Sequence, residues 1–401
     1  MKPDHLFTAG WRVFFLAAGL WAVFAVAVWV FWLGIHAFGG MAGLGVAMAP
    51  HLWHAHEMVF GYAAAALGGF FLTAVPNWTG AKDAPERFVM IVAGLWLAGR
   101  LAVWLSGVLP MALVAVIDLA FLPVLGAKVL TQLLARPKAQ NMLFLLLLAM
   151  VWAGNLMVHL EWLGLARTEA QGLTGGLLAI CAMIAALGGR VTPAFTRNAM
   201  LRQGRMDRLP ASHDLLDKAG IALAILTALA ALAGLPAALT GGLAVLAGIA
   251  AAGRLAGWRG LHLLGQPILW SLHLGYAMLA LGLMLWGLSQ FGLGSQTAAL
   301  HVLAIGAVGG MTLAVMSRAA LGHSGRALVA PRLVALAYVL MPVAVALRWA
   351  GSQWMGGFYY TGVLASGVIW CVAFTLYLVA LWPIFFGPRA DPGGAGRRVT
   401  Q

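Results

Sequence analysis

Residues 12 to 36 read RVFFLAAGLWAVFAVAVWVFWLGIH, a run in which one arginine opens and one histidine closes an otherwise uncharged stretch. At 1.5 Å per residue a helix of about 25 residues spans more than the roughly 30 Å of bilayer hydrocarbon. The run is too long for a signal-peptide core and no small-residue cleavage site follows it, so it is expected to remain as a first membrane span. The rest of the 401 residues agrees with it. Hydrophobic residues make up 63% and charged residues 9%, against about a quarter charged in soluble domains, which excludes an ordinary soluble fold. The formal charge of +13 could suggest nucleic acid, but Lys and Arg fall in short loops between apolar runs, which is a topology signal instead. The chain is therefore read as having the lipid bilayer, and no nucleic acid, as a partner. The 17 tryptophans suit interfacial belts. Cys181 and Cys371 both lie within apolar runs and no C-x-x-C-H is present, so any haem is held non-covalently.

Span length predicts an all-α, polytopic integral membrane protein of about twelve transmembrane helices, at about 12–36, 52–77, 88–109, 110–135, 141–163, 171–193, 216–235, 237–258, 267–290, 297–320, 331–350 and 358–386. Pro110 and Pro236 open helices after tight turns, a place where proline is tolerated. Alternate loops carry Lys82 and Arg87, Arg136 and Lys138, the cluster Arg197, Arg202, Arg205 and Arg208, then Arg259, Arg326 and Arg332, and Arg389, Arg397 and Arg398. The other loops carry almost none, Arg167 excepted. By the positive-inside rule both termini are cytoplasmic. Residues 1–386 are expected to form one transmembrane domain, 387–401 a disordered cytoplasmic tail, and about 190–215 a structured cytoplasmic loop.

With that orientation, His36, His51, His54, His56, His159 and His301 all fall near the outer ends of four or five different helices. Imidazole is the commonest nitrogen ligand, and convergence from separate helices is how a bundle builds a metal or haem site. His273 lies about six residues into its helix from the cytoplasmic side, some 15 Å from His301 along the membrane normal, so those two should not share one metal. His54 and His56 diverge by about 200° on a helix and should not share one either. Glu57, three residues after His54, is the candidate to orient that imidazole or to deliver protons. Candidate cofactor ligands are thus His54, His56, His159, His273 and His301, with His54, His56, His273 and His301 as candidate metal ligands. His159 shares a face with Asn155, so a packing hydrogen bond is as open as ligation. Arg100 and Asp118 match in depth across one helical hairpin, which predicts an ion pair because an unpaired arginine there is costly. Neutralising a haem propionate is the alternative role for Arg100.

Four stretches carry a family resemblance: Trp53-His-Ala-His-Glu-Met-Val-Phe-Gly61, Gly69-Phe-Phe-Leu-Thr-Ala-Val-Pro-Asn-Trp-Thr-Gly80, Gly189-Arg-Val-Thr-Pro-Ala-Phe-Thr-Arg-Asn198, and His301 through Arg326. In these the chain resembles the NnrS family of membrane proteins. The resemblance implies a twelve-helix protein of the bacterial inner membrane that holds haem, b-type by its non-covalent attachment, together with copper, and that protects against nitrosative stress. It leaves the reaction open. Haem-copper oxidases also have twelve spans, but no His-His pair occurs here and Tyr62 is not spaced as their tyrosine is. The expected function is redox chemistry on nitric oxide or a product of it at a His-ligated centre, supplied by an electron donor that the sequence does not identify. A metal or small-molecule transporter is the alternative, weakened by the lack of an internal repeat. A sensor that binds nitric oxide without turnover fits the same residues.

Overall fold

A backbone in hydrocarbon must satisfy its N–H and C=O groups within its own segment, so each apolar run closes into a helix. The structure, a computed structural model, describes residues 5–354 and 356–390; among these no strand occurs and twelve helices are long and apolar enough to cross a membrane. They are α1 (Gly10–Ala37), α2 (Pro50–Thr79), α3 (Glu86–Trp104), α4 (Met111–Leu134), α5 (Ala139–Trp162), α6 (Glu169–Arg202), α7 (Asp214–Leu232), α8 (Ala237–Ala256), α9 (Pro267–Ser289), α10 (Gln296–His323), α11 (Arg332–Gln353) and α12 (Tyr359–Phe386). Most of the expected tail, residues 391–401, lies outside the described residues.

Close helix contacts rest on paired glycines. A Cβ on Gly154 of α5 would meet the Gly172 carbonyl oxygen of α6 at 2.6 Å, and one on Gly172 would meet that of Gly154 at 2.5 Å. Gly241 of α8 and Gly287 of α9 repeat the arrangement at 2.8 and 2.6 Å. Lipid offers helices no hydrophobic drive to associate, so this backbone proximity supplies the packing.

Arg12 closes the bundle at one end. Its Nη1 donates to the carbonyls of Ile384, Phe385 and Gly387 at 2.8, 3.0 and 2.7 Å, which are groups the end of α12 leaves unsatisfied. The first and last helices therefore end on one face.

One expectation fails. The polar stretch from about 190 to 202 is not a loop: α6 continues to Arg202. Pro193 does not stop it, and the added turns are held from the side, with Thr196 bonded to His273 of α9 and the Arg318 guanidinium 3.9 Å from the centre of the Phe195 ring. Tertiary contacts outweigh the polarity of the segment.

Three helices are irregular, and all three carry residues of interest. Pro123 in α4 has no N–H for the Leu119 carbonyl, so the helix breaks at Ala120 and Trp152 Nε1 donates to the freed oxygen at 3.1 Å. Asp118 lies two residues before that break. In α2 the segment Glu57–Ala63 winds as a π-helix, and in α10 Val302–Gly309 does the same. Each begins directly after a histidine, His56 or His301. Such wide turns are rare and concentrate at functional sites.

Candidate functional site: two histidine clusters on either side of α2

The geometry of the His51–Phe60 stretch separates its histidines. His56 and Glu57 turn toward α3, α4 and α5, where both are fully buried. Glu57 Oε1 accepts from Arg100 Nη1 at 2.6 Å and from His56 Nδ1 at 3.0 Å. Arg100 Nη2 is bonded to Asp118 Oδ1, so the ion pair expected across the α3–α4 hairpin is present and Glu57 joins it. Asp118 Oδ2 accepts from Asn155 Nδ2 at 2.9 Å and from His159 Nε2 at 2.8 Å. Since Asn155 presents its nitrogen to a carboxylate, its oxygen is the atom 2.8 Å from His56 Nε2.

Both ring nitrogens of His56 therefore face acceptors, an arrangement that a doubly protonated imidazole satisfies. The charges agree: two carboxylates and one guanidinium leave one negative charge, which an imidazolium at His56 cancels. The ligating atoms of His56, Asp118 and His159 lie within 4.8 Å of one another, so a metal ion could supply the same positive charge. Three atoms of the group stay unpartnered, Glu57 Oε2, His159 Nδ1 and Arg100 Nε.

Glu57 does not orient His54, contrary to the helical-face expectation. Glu57 is the first residue of the π turn, where each step advances less around the axis than in an α-helix, and its Oε1 is engaged on the His56 side. His54 and His56 point to opposite sides of α2, in keeping with their divergence of about 200° on a helix. Arg100 has both terminal nitrogens engaged by buried carboxylates, which is the clamp arrangement, and no propionate contact is left to those two atoms.

His54 faces the other way. Its ring stacks on Trp29 of α1, with centroids 4.9 Å apart and planes 16° from parallel, and its buried Nδ1 has no partner. Trp29 continues to Trp32 and then His36, whose Nε2 is likewise unpartnered. His301 donates from Nδ1 to the Thr297 carbonyl at 2.8 Å, which fixes its tautomer and leaves the Nε2 lone pair free. His301 lies within charge–charge reach of His54 and of Arg348 on α11. No carboxylate joins this group among the described residues. Sequence reading gave Arg348 no role; the signal available was its position, five residues inside the end of α11.

His273 belongs to neither cluster. Its Nε2 donates to the Thr196 hydroxyl at 2.8 Å, Thr196 donates on to the Thr192 carbonyl, and Nδ1 is buried without a partner against Gly260. Another unforeseen group lies near it. Arg254 of α8 reaches Asp217 at 2.6 Å, Tyr276 at 2.6 Å and the Ala185 carbonyl at 2.7 Å, tying α6, α7, α8 and α9.

The fold and these clusters define a polytopic membrane protein whose titratable side chains are gathered between its helices. The sequence profile described as NnrS protein matches residues 5–389, nearly the whole chain, and the protein belongs to the NnrS family. Membership supports a membrane protein of the nitric oxide response, and the buried His56–Asp118–His159 group is compatible with metal binding. No curated protein matches the chain.

Proposed function

We propose that His54 and His301 hold a redox-active centre, haem iron with copper as companion metal, that acts on nitric oxide or one of its products in a bacterial cytoplasmic membrane. The observation that carries this reading is the pair of histidines on α2 and α10, each within three residues of a π turn and each with a ring nitrogen that no protein group claims. Unclaimed imidazole nitrogens suit haem iron and copper alike. When bound, such a metal supplies an open position for a diatomic ligand and one-electron chemistry on it.

The chain's own residues account for the rest. The Thr297 carbonyl holds the His301 ring in one tautomer, and the Trp29 stack holds the plane of His54. On the opposite side of α2, Glu57 Oε2 is a buried acceptor with no donor, next to an imidazole facing acceptors at both nitrogens. We assign Glu57 and His56 to holding a proton near the centre, and the reductant to a donor outside this chain. A second location for copper is supported by the compact His56–Asp118–His159 group; there a metal would have to displace the hydrogen bonds of Asp118 to His159 and Asn155.

An oxidised and reduced optical spectrum with iron and copper analysis on the same purified sample tests the proposal. His54→Ala and His301→Ala should each lose the spectrum, whereas His159→Ala should keep it. Retention of spectrum and metal by both of the first variants would move the centre elsewhere, and a preparation with neither iron nor copper would end the metal reading.

A further inference from the structure

Four arginines within the spans are almost wholly buried: Arg12 at 5% exposure, Arg100 at 2%, Arg254 at 5% and Arg348 at 6%. Three of them each meet two or more acceptors, although Arg12 uses only Nη1 and Arg100 Nε has no partner. Arg12 has three carbonyls, Arg100 two carboxylates, and Arg254 a carboxylate, a carbonyl and a phenol. Arg348 differs. Among the described residues its one side-chain hydrogen bond runs from Nη1 to the Ser352 hydroxyl, and no carboxylate stands within ion-pair distance. A buried, unbalanced guanidinium in a membrane bundle costs several kcal/mol unless something compensates it, so it marks a site by default.

Its neighbours say what kind. The end of α11 is fastened to the start of α10 by the Ser295 N–H, which donates to Gln353 Oε1 at 3.0 Å. Six residues from that point along α10 is His301, and five residues along α11 is Arg348, rises of about 9 and about 7.5 Å. The two therefore sit at one level, with His54 also within reach of the Arg348 charge. Ser352 occupies Nη1, which leaves Nε and Nη2, the edge of the guanidinium that makes two parallel bonds to a planar two-oxygen anion.

We propose that Arg348, flanked by His54 and His301, receives a planar monoanion with two oxygens, either a free oxyanion such as nitrite or the carboxylate arm of a bound macrocycle. The site shares its two histidines with the centre assigned above, but it stands on the unmatched charge of Arg348 and not on the metal. Two probes separate the sources in full-length, metal-depleted protein in lipid nanodiscs. One is sodium nitrite followed by calorimetry; the other is haem compared with its dimethyl ester, which has no carboxylates.

If a free oxyanion is the occupant, nitrite binds wild type and Arg348→Gln weakens it at least tenfold. If a carboxylate arm is, haem binds at least tenfold more tightly than the ester and that ratio falls to near one in Arg348→Gln. Unchanged nitrite affinity together with an unchanged haem-to-ester ratio in a monodisperse Arg348→Gln protein overturns the proposal. Should that variant not fold, Arg348→Lys keeps the charge and loses the fork: binding weakened several-fold supports the site, and wild-type binding of both probes overturns it. Nitrite binding that depends on Arg348 in protein that takes up neither iron nor copper would leave this site standing and remove the metal reading alone.

Discussion

His54 and His56 are two residues apart on one helix, and their surroundings are opposites. On the His56 side, four helices contribute Glu57, Arg100, Asp118, Asn155 and His159, whose polar atoms are bonded to one another except Glu57 Oε2, Arg100 Nε and His159 Nδ1. On the His54 side, the helices contribute an imidazole stacked on Trp29, a second imidazole with a free nitrogen and a guanidinium with no acid. A cluster whose charges cancel internally holds helices together. One whose charges and lone pairs are left over is prepared for something that is not protein. The difference teaches that intramembrane polarity alone does not mark a binding site; incomplete partnering does.

The largest expected effect breaks the closed side. Asp118→Ala strips an acceptor from Arg100, Asn155 and His159 at once, and removing one partner of a buried pair costs roughly 3–5 kcal/mol. His54→Ala removes a stacked ring worth about 0.5–1.5 kcal/mol. Thermal unfolding in detergent should therefore show a much lower midpoint for Asp118→Ala, while metal content and spectrum should be lost in His54→Ala with the midpoint little changed. The reverse pattern would mean that the closed side is the binding site.

The closed side can also be tested by its charge count. Arg100→Gln and Glu57→Gln each leave a buried charge unmatched, whereas the double variant removes one of each sign. The double variant should be more stable than the sum of the singles predicts, by roughly 0.5–3 kcal/mol, the range for residues in contact. Additive losses would show that these two groups do not share one electrostatic unit. Gly61→Ala probes the same cluster sterically. Its Cβ would lie 2.7 Å from Trp21 Nε1 and 2.9 Å from both Arg100 Nη1 and Glu57 Oε2, and such overpacking costs about 1–3 kcal/mol. Unfolding at the wild-type midpoint would show that the cluster yields to an added methyl group without loss.

These assignments show what a one-dimensional reading can and cannot reach. The twelve spans were legible because hydrophobic run length answers to bilayer thickness. The Arg100–Asp118 pair was legible because two residues equally far from one short turn must sit at one depth. The partner of Glu57 was not, because the face assignment assumed 100° per residue and the helix widens at that residue. Arg254 and Arg348 were not legible because an arginine near a helix end shows its burial only once the neighbouring helices are placed. The continuation of α6 past Pro193 was missed for the same kind of reason, since what holds it comes from α9 and α10.

The smallest expected effect concerns what links the two sides. Tyr62, inside the π turn of α2, is hydrogen-bonded to Thr312, one turn beyond the π segment of α10, and its ring packs edge-on against Trp370 and Phe374. The two helices that carry π segments are thus joined by a hydroxyl pair. Side-chain hydrogen bonds within membranes average about 0.6 kcal/mol, so Tyr62→Phe, which keeps the ring packing, should barely move the unfolding midpoint. If the pair sets how α2 and α10 present His54 and His301, Tyr62→Phe and Thr312→Val should shift the absorption or ligand-binding spectrum of the centre alike, and the double variant should add nothing to either single change. A Tyr62→Phe protein with an unaltered spectrum would reduce the link to ordinary packing, and the two sides of α2 would then be independent.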